Sequence, residues 1–305
     1  MSKPKPYRRI FGMILGFGLV WCICCTQGNS PEFSFAFLTD IHVQPEKRAT
    51  DGFKAAISSV NQQHPDFVIT GGDQIMDALG QSFARADSLY ALYQETSALF
   101  QMPVYNTIGN HEIFGLYEDS GVDPSHPEYY KKMYENRMGD RFYSFNHQGW
   151  HFMVLDSIGR RADRDYIGFI DGQQMQWIAE DLDSIEKETP IVISTHIPFL
   201  TVATQLSSGP TEPNSPGIVI TNGLDALQLF QGYNLKLVLQ GHLHFLEEIE
   251  VGGITFVTGG AVSGNWWEGP RGSLEEGYVL FKVKGEDFDW EYIDYGWTVP
   301  EQIVQ

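Results

Sequence analysis

The sequence predicts an α/β layered fold, and three observations carry that prediction. From Phe33 onward, short apolar runs alternate with helical patterns. No Pro/Gly/Ser-rich linker divides the chain. Polar, metal-capable residues recur just beyond the C-terminal ends of successive predicted strands, which is where α/β sheets place their sites. With 305 residues, 13% of them aromatic, the chain is long enough to bury the core of one large domain.

The elements follow in order. Phe33 to Leu38 reads as a buried strand, Gly52 to Gln63 as a helix, and Phe67 to Thr70 as a second strand ending at Gly71-Gly72-Asp73. A long helical pattern from Gln81 to Phe100 leads into a third strand, Pro103 to Ile108, which ends at Gly109-Asn110-His111. Arg141 to Asn146 and Trp150 to Leu155 flank His147-Gln148-Gly149, a spacing that predicts a hairpin. Asp171 opens a helix running through Lys187, with Gln174 at the capping-box position. Ile191 to Thr195 is a strand that delivers His196, and Pro198 to Gly217 is a loop. Leu235 to Leu239 delivers Gly241-His242-Leu243-His244, and Glu248 to Asp294 reads as short strands.

The first 25 residues are of a different kind. Lys3, Lys5, Arg8 and Arg9 precede an apolar run from Ile10 to Cys25 that is short for a membrane span and has the layout of an export signal. All three cysteines, Cys22, Cys24 and Cys25, close this run. The segment is similar to a bacterial lipoprotein signal, with Cys25 the position for lipidation, simple cleavage and an uncleaved anchor being the alternatives. Arg8-Arg9-Ile10-Phe11 resembles part of a twin-arginine signal. The sequence therefore divides into an export segment over 1–25, a short linker over 26–32 and one domain over 33–305. The expected location is the periplasm, or a membrane-anchored lipoprotein facing away from the cytoplasm.

Removing the leader leaves no cysteine, so disulfides and thiolate chemistry are excluded and any metal must be held by oxygen and nitrogen. Loss of the four leader cations, with no leader anion to offset them, takes the formal charge from −19 to about −23. Such a chain repels nucleic acid at long range, which disfavours a nuclease.

Each polar block alone admits a plain explanation. Asp40-Ile41-His42 resembles a surface pair, Gly72-Asp73 and Gly109-Asn110-His111-Glu112 resemble turns, and His196 between Ile193 and Ile197 resembles a core histidine. Spacing speaks for more: in an extended chain residues two apart face the same way, so Asp40 and His42, or His242 and His244, can face one ion. The Asp73 carboxylate has two oxygens and can bridge two cations. Five such blocks in order, each after a predicted strand, make a metal centre the economical account. Five of the nine histidines fall in these blocks, and His64, His126, His147 and His151 do not.

Together, Asp40-x-His42, Gly72-Asp73, Gly109-Asn110-His111-Glu112, His196 and Gly241-His242-x-His244 resemble the signature blocks of calcineurin-like metallophosphoesterases, over roughly Phe33 to Thr258. The resemblance implies a four-layer α/β/β/α sandwich, two mixed sheets flanked by helices, with a dinuclear site at one edge. It implies that Asp40, His42, Asp73 and His244 hold one divalent ion and Asp73, Asn110, His196 and His242 the other, with Asp73 bridging. It further implies a metal-bridging hydroxide as nucleophile and His111 as the acid that protonates the leaving oxygen. Manganese, iron and zinc all suit such ligands.

Departures from the relatives narrow the expectation. Purple acid phosphatases carry a ferric-binding tyrosine three residues after the bridging Asp, where this chain has Met76. Phosphoprotein phosphatases have there an Asp that supports the catalytic histidine; here Asp77 is one residue late and Glu112 is the alternative partner. The chain after Thr258 is too short for the nucleoside domain of secreted 5′-nucleotidases, and the layout resembles class III cyclic-nucleotide phosphodiesterases best. Gly259 to Trp267 resembles a glycine-rich segment of some secreted members, so Trp266 and Trp267 are candidate substrate contacts, packing between C-terminal strands being the alternative. The expected partners are a small phosphoester and, through the N-terminal segment, a membrane. A catalytically silent phosphate-binding lipoprotein and a nuclease are the competing functions.

Overall fold

In the computed structural model, residues 32–299 are described, and they lie within one unit, Pro31–Gln305. Residues 1–25, read above as an export signal, fall outside the described residues, and Cys25 with them. Among the described residues no helix is long and apolar enough to cross a membrane.

The elements in chain order are β1 (Glu32–Leu38), α1 (Ala49–Gln63), β2 (Phe67–Thr70), α2 (Phe83–Ser97), β3 (Val104–Asn106), α3 (Lys132–Met138), β4 (Tyr143–His147) and β5 (Trp150–Val154). They continue with β6 (Ile158–Arg160), β7 (Tyr166–Gly168), α4 (Gly172–Leu182), β8 (Pro190–Ser194), α5 (Ala203–Ser208), α6 (Gly223–Leu229) and β9 (Asn234–Gln240). β10 (Glu247–Val251), β11 (Ile254–Thr258), β12 (Gly277–Lys284) and β13 (Asp287–Asp294) complete the fold.

Two mixed sheets form, in the orders β13-β12-β1-β2-β3 and β10-β11-β9-β8-β5-β4. Strand periodicity explains why they stack. Alternate residues Phe33, Phe35 and Phe37 of β1, Phe67 and Ile69 of β2, and Val279 and Phe281 of β12 meet Trp150 and Phe152 of β5, Val192 of β8, Leu237 and Leu239 of β9, and Val257 of β11 in one cluster. Phe35 stacks on Phe67 at 5.2 Å and on Phe281 at 4.8 Å, so aromatic layers fill the space between the sheets.

The opposite parity faces outward to the helices. Ala36, Leu38 and Val68 join Phe53, Ala56, Ile57 and Val60 of α1 and Leu89, Tyr90 and Tyr93 of α2, while Met153, Ile191, Ile193 and Val238 join Ile178 and Leu182 of α4 and Ala226 of α6. The result is the expected four-layer sandwich. Because both faces of β2, β5 and β8 are covered, every residue of these strands is buried, and each fully buried large apolar side chain contributes roughly 1.5–3 kcal/mol.

Local chemistry shifts some boundaries. α4 starts where Asp171 Oδ1 accepts the Gln174 amide at 2.9 Å, but it stops at Leu182 rather than Lys187, because the Ser184 hydroxyl bonds back to the Asp181 carbonyl at 2.6 Å. The Gln174 side chain does not complete a capping box. It spans the backbone of Asp156 instead, accepting its amide at 2.8 Å and donating to its carbonyl at 2.7 Å. The β6–β7 ribbon and the short helices α3, α5 and α6 are not predicted, since each has too few apolar residues to set a period.

Candidate metal centre

The C-terminal ends of five parallel strands, three from one sheet and two from the other, meet at one edge of the sandwich. The loop after β1 carries Asp40 and His42, that after β2 carries Asp73, and that after β3 carries Asn110 and His111; the loops after β8 and β9 bring His196, His242 and His244. All eight residues predicted from sequence converge here.

The aim of these side chains does not come from extended backbone, which corrects the spacing argument. Asp40, His42, Asp73, His242 and His244 all have positive φ, between 48° and 75°. The left-handed conformation costs a non-glycine residue roughly 1–2 kcal/mol, and tertiary contacts must hold it. Those contacts are explicit: the amides of Asp40, His42 and Val43 donate to the carbonyls of Gly72, Asp73 and Gln74 at 3.1, 2.9 and 2.9 Å, zipping the β1 and β2 loops together beyond the sheet. Gly109 lacks a side chain because a Cβ there would collide with the Asp73 amide and carboxylate, and Gly72, at φ 93°, passes directly over the His196 ring.

Each carboxylate divides its two oxygens between scaffold and centre. Asp40 Oδ2 accepts from the Thr39 hydroxyl at 2.7 Å and the His242 amide at 3.0 Å, whereas Oδ1 lies 3.3 Å from His244 Nε2 and 3.9 Å from His42 Nε2. Asp73 Oδ1 accepts the His111 amide at 2.9 Å, whereas Oδ2 lies 3.1 Å from His196 Nε2 and 3.8 Å from both His42 Nε2 and His111 Nε2. Two clusters result, Asp40-His42-His244 and Asp73-His196-His242, and a third group, His42-Asp73-His111, shares one residue with each and links them.

Backbone carbonyls set the histidine tautomers. His196 Nδ1 donates to Gly71 at 2.8 Å and His244 Nδ1 donates to Gly264 at 2.7 Å, so in each neutral ring Nε2 presents a lone pair to the centre. His242 is turned the other way: Nε2 donates to the Gly217 carbonyl at 2.9 Å and leaves Nδ1 facing inward.

The donor set fits a pair of divalent cations. His196 Nε2 faces Asn110 Oδ1 at 3.1 Å and Asp73 Oδ2 at 3.1 Å, and His42 Nε2 faces His244 Nε2 at 2.9 Å, so acceptors crowd acceptors in a dry site. Asp40 Oδ1, which faces the same centre, is buried without a hydrogen-bond partner among the described residues. Shared cations resolve this convergence of lone pairs.

Electrostatics of the bare ligands point the same way. Burial opposes ionisation of Asp40, yet His244 and His196 hold its carboxyl well below the usual range, and burial of Asp73 is likewise overridden by His196 and His111. Burial depresses His42, with His111 adding to it, and takes His242 down to about 4 with help from His196. Burial also acts against a charge on His196, but the Asp73 carboxylate lifts it to about 9, placing a proton where the donors ask for a cation.

Residues 33–246 match the calcineurin-like phosphoesterase family. The chain belongs to that family. It is a metallophosphoesterase, and its chemistry is metal-dependent hydrolysis of phosphoesters. No curated protein matches the sequence. Among solved structures, a dimetal phosphatase from Danio rerio is similar, with a TM-score of 0.58 at 16% identity over 87% of this chain and 99% of that one. A purple acid phosphatase from yellow lupin (Lupinus luteus) seeds gives 0.54 at 17% over 88% of this chain and 52% of that one. GAP50, described as the anchor in the inner membrane complex of Plasmodium, gives 0.50 at 15% over 87% and 85%. At these identities the likeness is one of fold.

Within this phosphoesterase the side chains around His111 differ from expectation. His111 Nδ1 bonds the Met76 carbonyl, and Asp77 Oδ1 stands 3.9 Å away, engaged with the Leu79 amide at 2.8 Å. Glu112 is not the partner of His111. It is fully buried and accepts the amides of Asp73 at 2.9 Å, Ile75 at 3.1 Å and Gly109 at 2.7 Å, tying together the loops after β2 and β3. Burial, with the Asp73 charge adding to it, raises its carboxyl to about 7.

The two tryptophans separate. Trp267 is fully buried, donates from Nε1 to the His42 carbonyl at 3.0 Å and packs edge-on against Trp297, so it is a support of the His42 loop and touches no substrate. Trp266 is half-buried beside the centre, 4.6 Å from the His244 ring. Tyr166, on the unpredicted β6–β7 ribbon, lies 5.9 Å from His242; without an apolar period around it, no sequence signal marks this contact.

Proposed function

We propose that this phosphoesterase hydrolyses small phosphate mono- or diesters outside the cytoplasm. Asp40, His42, Asp73 and His244 would hold one divalent ion, and Asp73, Asn110, His196 and His242 the other. The observation that carries this reading is Asp73 Oδ2, which is within reach of ring nitrogens from both clusters while its sister oxygen is anchored on the backbone. When bound, two such cations activate water and neutralise phosphate oxygens.

The chain's own residues supply the rest. Fixed Nε2–H or Nδ1–H donation to Gly71, Gly264 and Gly217 keeps the histidine lone pairs aimed inward without reorganisation. The Met76 carbonyl orients His111 so that Nε2 faces the centre, 3.8 Å from Asp73 Oδ2, in position to deliver a proton to a leaving oxygen. The oxygen and nitrogen donors suit manganese, iron or zinc. Action outside the cytoplasm, with the membrane as partner if the segment is retained, is supported by the basic and apolar 1–25 segment.

The test is turnover by leaderless protein at pH 7 with Mn²⁺ on p-nitrophenyl phosphate, bis-p-nitrophenyl phosphate and cyclic AMP. Hydrolysis of at least one is expected. Inactivity on all three with Mn²⁺, Fe²⁺, Zn²⁺ and Ni²⁺ would sink the reading.

A further inference from the structure

The segment after β11 carries two features that the metal centre leaves unused. Trp266 has φ 50°, a conformation that a bulky residue adopts only under constraint. One face of its indole lies against His244, 4.6 Å away and tilted by 40°. Over the indole, 5.2 Å from the ring centroid, stands the guanidinium of Arg271.

Arg271 is exposed and has no carboxylate within 4.0 Å among the described residues, in a chain of formal charge −19. The neighbouring cation, Lys47, is by contrast neutralised by Glu268 at 2.6 Å. Hydrogen-bonded backbone presents this guanidinium. Val262 donates to the Thr39 carbonyl at 3.0 Å, and the Ser263 amide and hydroxyl both reach the Asp40 carbonyl, at 3.2 and 2.8 Å. Arg271 and Leu274 close a turn with paired backbone bonds of 3.0 and 3.2 Å. The cation thus stands one indole away from the ligand His244, on a segment stitched to the ligand loop.

We propose that Trp266 and Arg271 form a substrate subsite for a second phosphate. The preferred substrate is then a small phosphoester in which a sugar-like ring separates two phosphates. The scissile phosphate lies at the metal centre, the ring packs along the indole edge, and the second phosphate takes the planar fork of Arg271, which matches phosphate oxygens in pairs. This inference rests on the phosphoester reading above.

Fructose 1,6-bisphosphate and fructose 6-phosphate are matched probes, differing by one phosphate. In Mn²⁺-loaded protein kcat/KM favours the bisphosphate by about tenfold or more, equivalent to about 1.4 kcal/mol. In Arg271→Gln the preference collapses to within about twofold, and Arg271→Lys restores part of it as a point charge without the fork. Calorimetric binding of both probes to Mn²⁺-loaded His111→Ala protein, with and without Arg271→Gln, reads the subsite independently of turnover. The same preference with and without Arg271, or none in the parent protein, overturns the subsite. A binding preference that depends on Arg271, in a protein that hydrolyses no phosphoester, sustains the subsite and removes the proposed reaction instead.

Discussion

The carboxylate of Glu112 accepts the backbone amide of Asp73 at 2.9 Å, and through the same oxygen the amide of Gly109 at 2.7 Å. One buried side chain therefore fixes the spacing between the loop that carries the shared carboxylate and the loop that carries Asn110 and His111. Replacing Glu112 by Ala leaves three buried amides unpaired, at about 1–3 kcal/mol each. Urea denaturation of metal-free protein is expected to show a loss of several kcal/mol, with a smaller loss in Glu112→Gln. A change below the measurement error in Glu112→Ala would contradict the bracing role.

Asp73→Ala removes the one oxygen within reach of both clusters. Elemental analysis after Mn²⁺ loading should find the variant short of two ions per chain, with activity lost in parallel. Two ions bound in this variant would end the bridging assignment.

His111→Ala should lower kcat by about 10²–10⁴-fold while metal content stays at the parent level. Because p-nitrophenolate leaves without help, the loss on p-nitrophenyl phosphate should be smaller than on an alkyl phosphate. Equal losses on the two esters, or loss of metal, would exclude the acid role.

Trp267→Ala opens a cavity under the His42 loop and unpairs the His42 carbonyl from Nε1. The expected cost is about 3–5 kcal/mol, read from denaturant unfolding at fixed metal concentration. A loss of stability confined to a few tenths of a kcal/mol would show that the indole is not a support.

Chelation should lower Tm, and added Mn²⁺ should restore it, because cations that bind only the folded centre stabilise by about 2.7 kcal/mol at a hundred times Kd. Asp40→Asn, which weakens one cluster, should reduce this metal-dependent gain. A Tm indifferent to EDTA in the parent protein would argue against resident cations.

What was legible in the amino acids is whatever depends on near neighbours in the chain. Alternation of Phe33, Phe35 and Phe37, and the apolar runs at Phe67 to Thr70 and Ile191 to Thr195, reveal the strands because side-chain direction in a strand has period two. The polar blocks reveal the site because they follow those strands directly. Tertiary structure alone decided how the blocks aim and what supports them. Asp40 and His42 face the centre through left-handed backbone held by Gly72 and Asp73, not through an extended chain. Adjacent Trp266 and Trp267 have identical side chains and opposite fates, one beside His244 and one beneath His42, since burial depends on which distant parts of the chain the fold brings to each indole. The same holds for Glu112 and His111, neighbours in one block: a carboxylate and an imidazole take whichever partners the fold brings to them, here three backbone amides and the Met76 carbonyl.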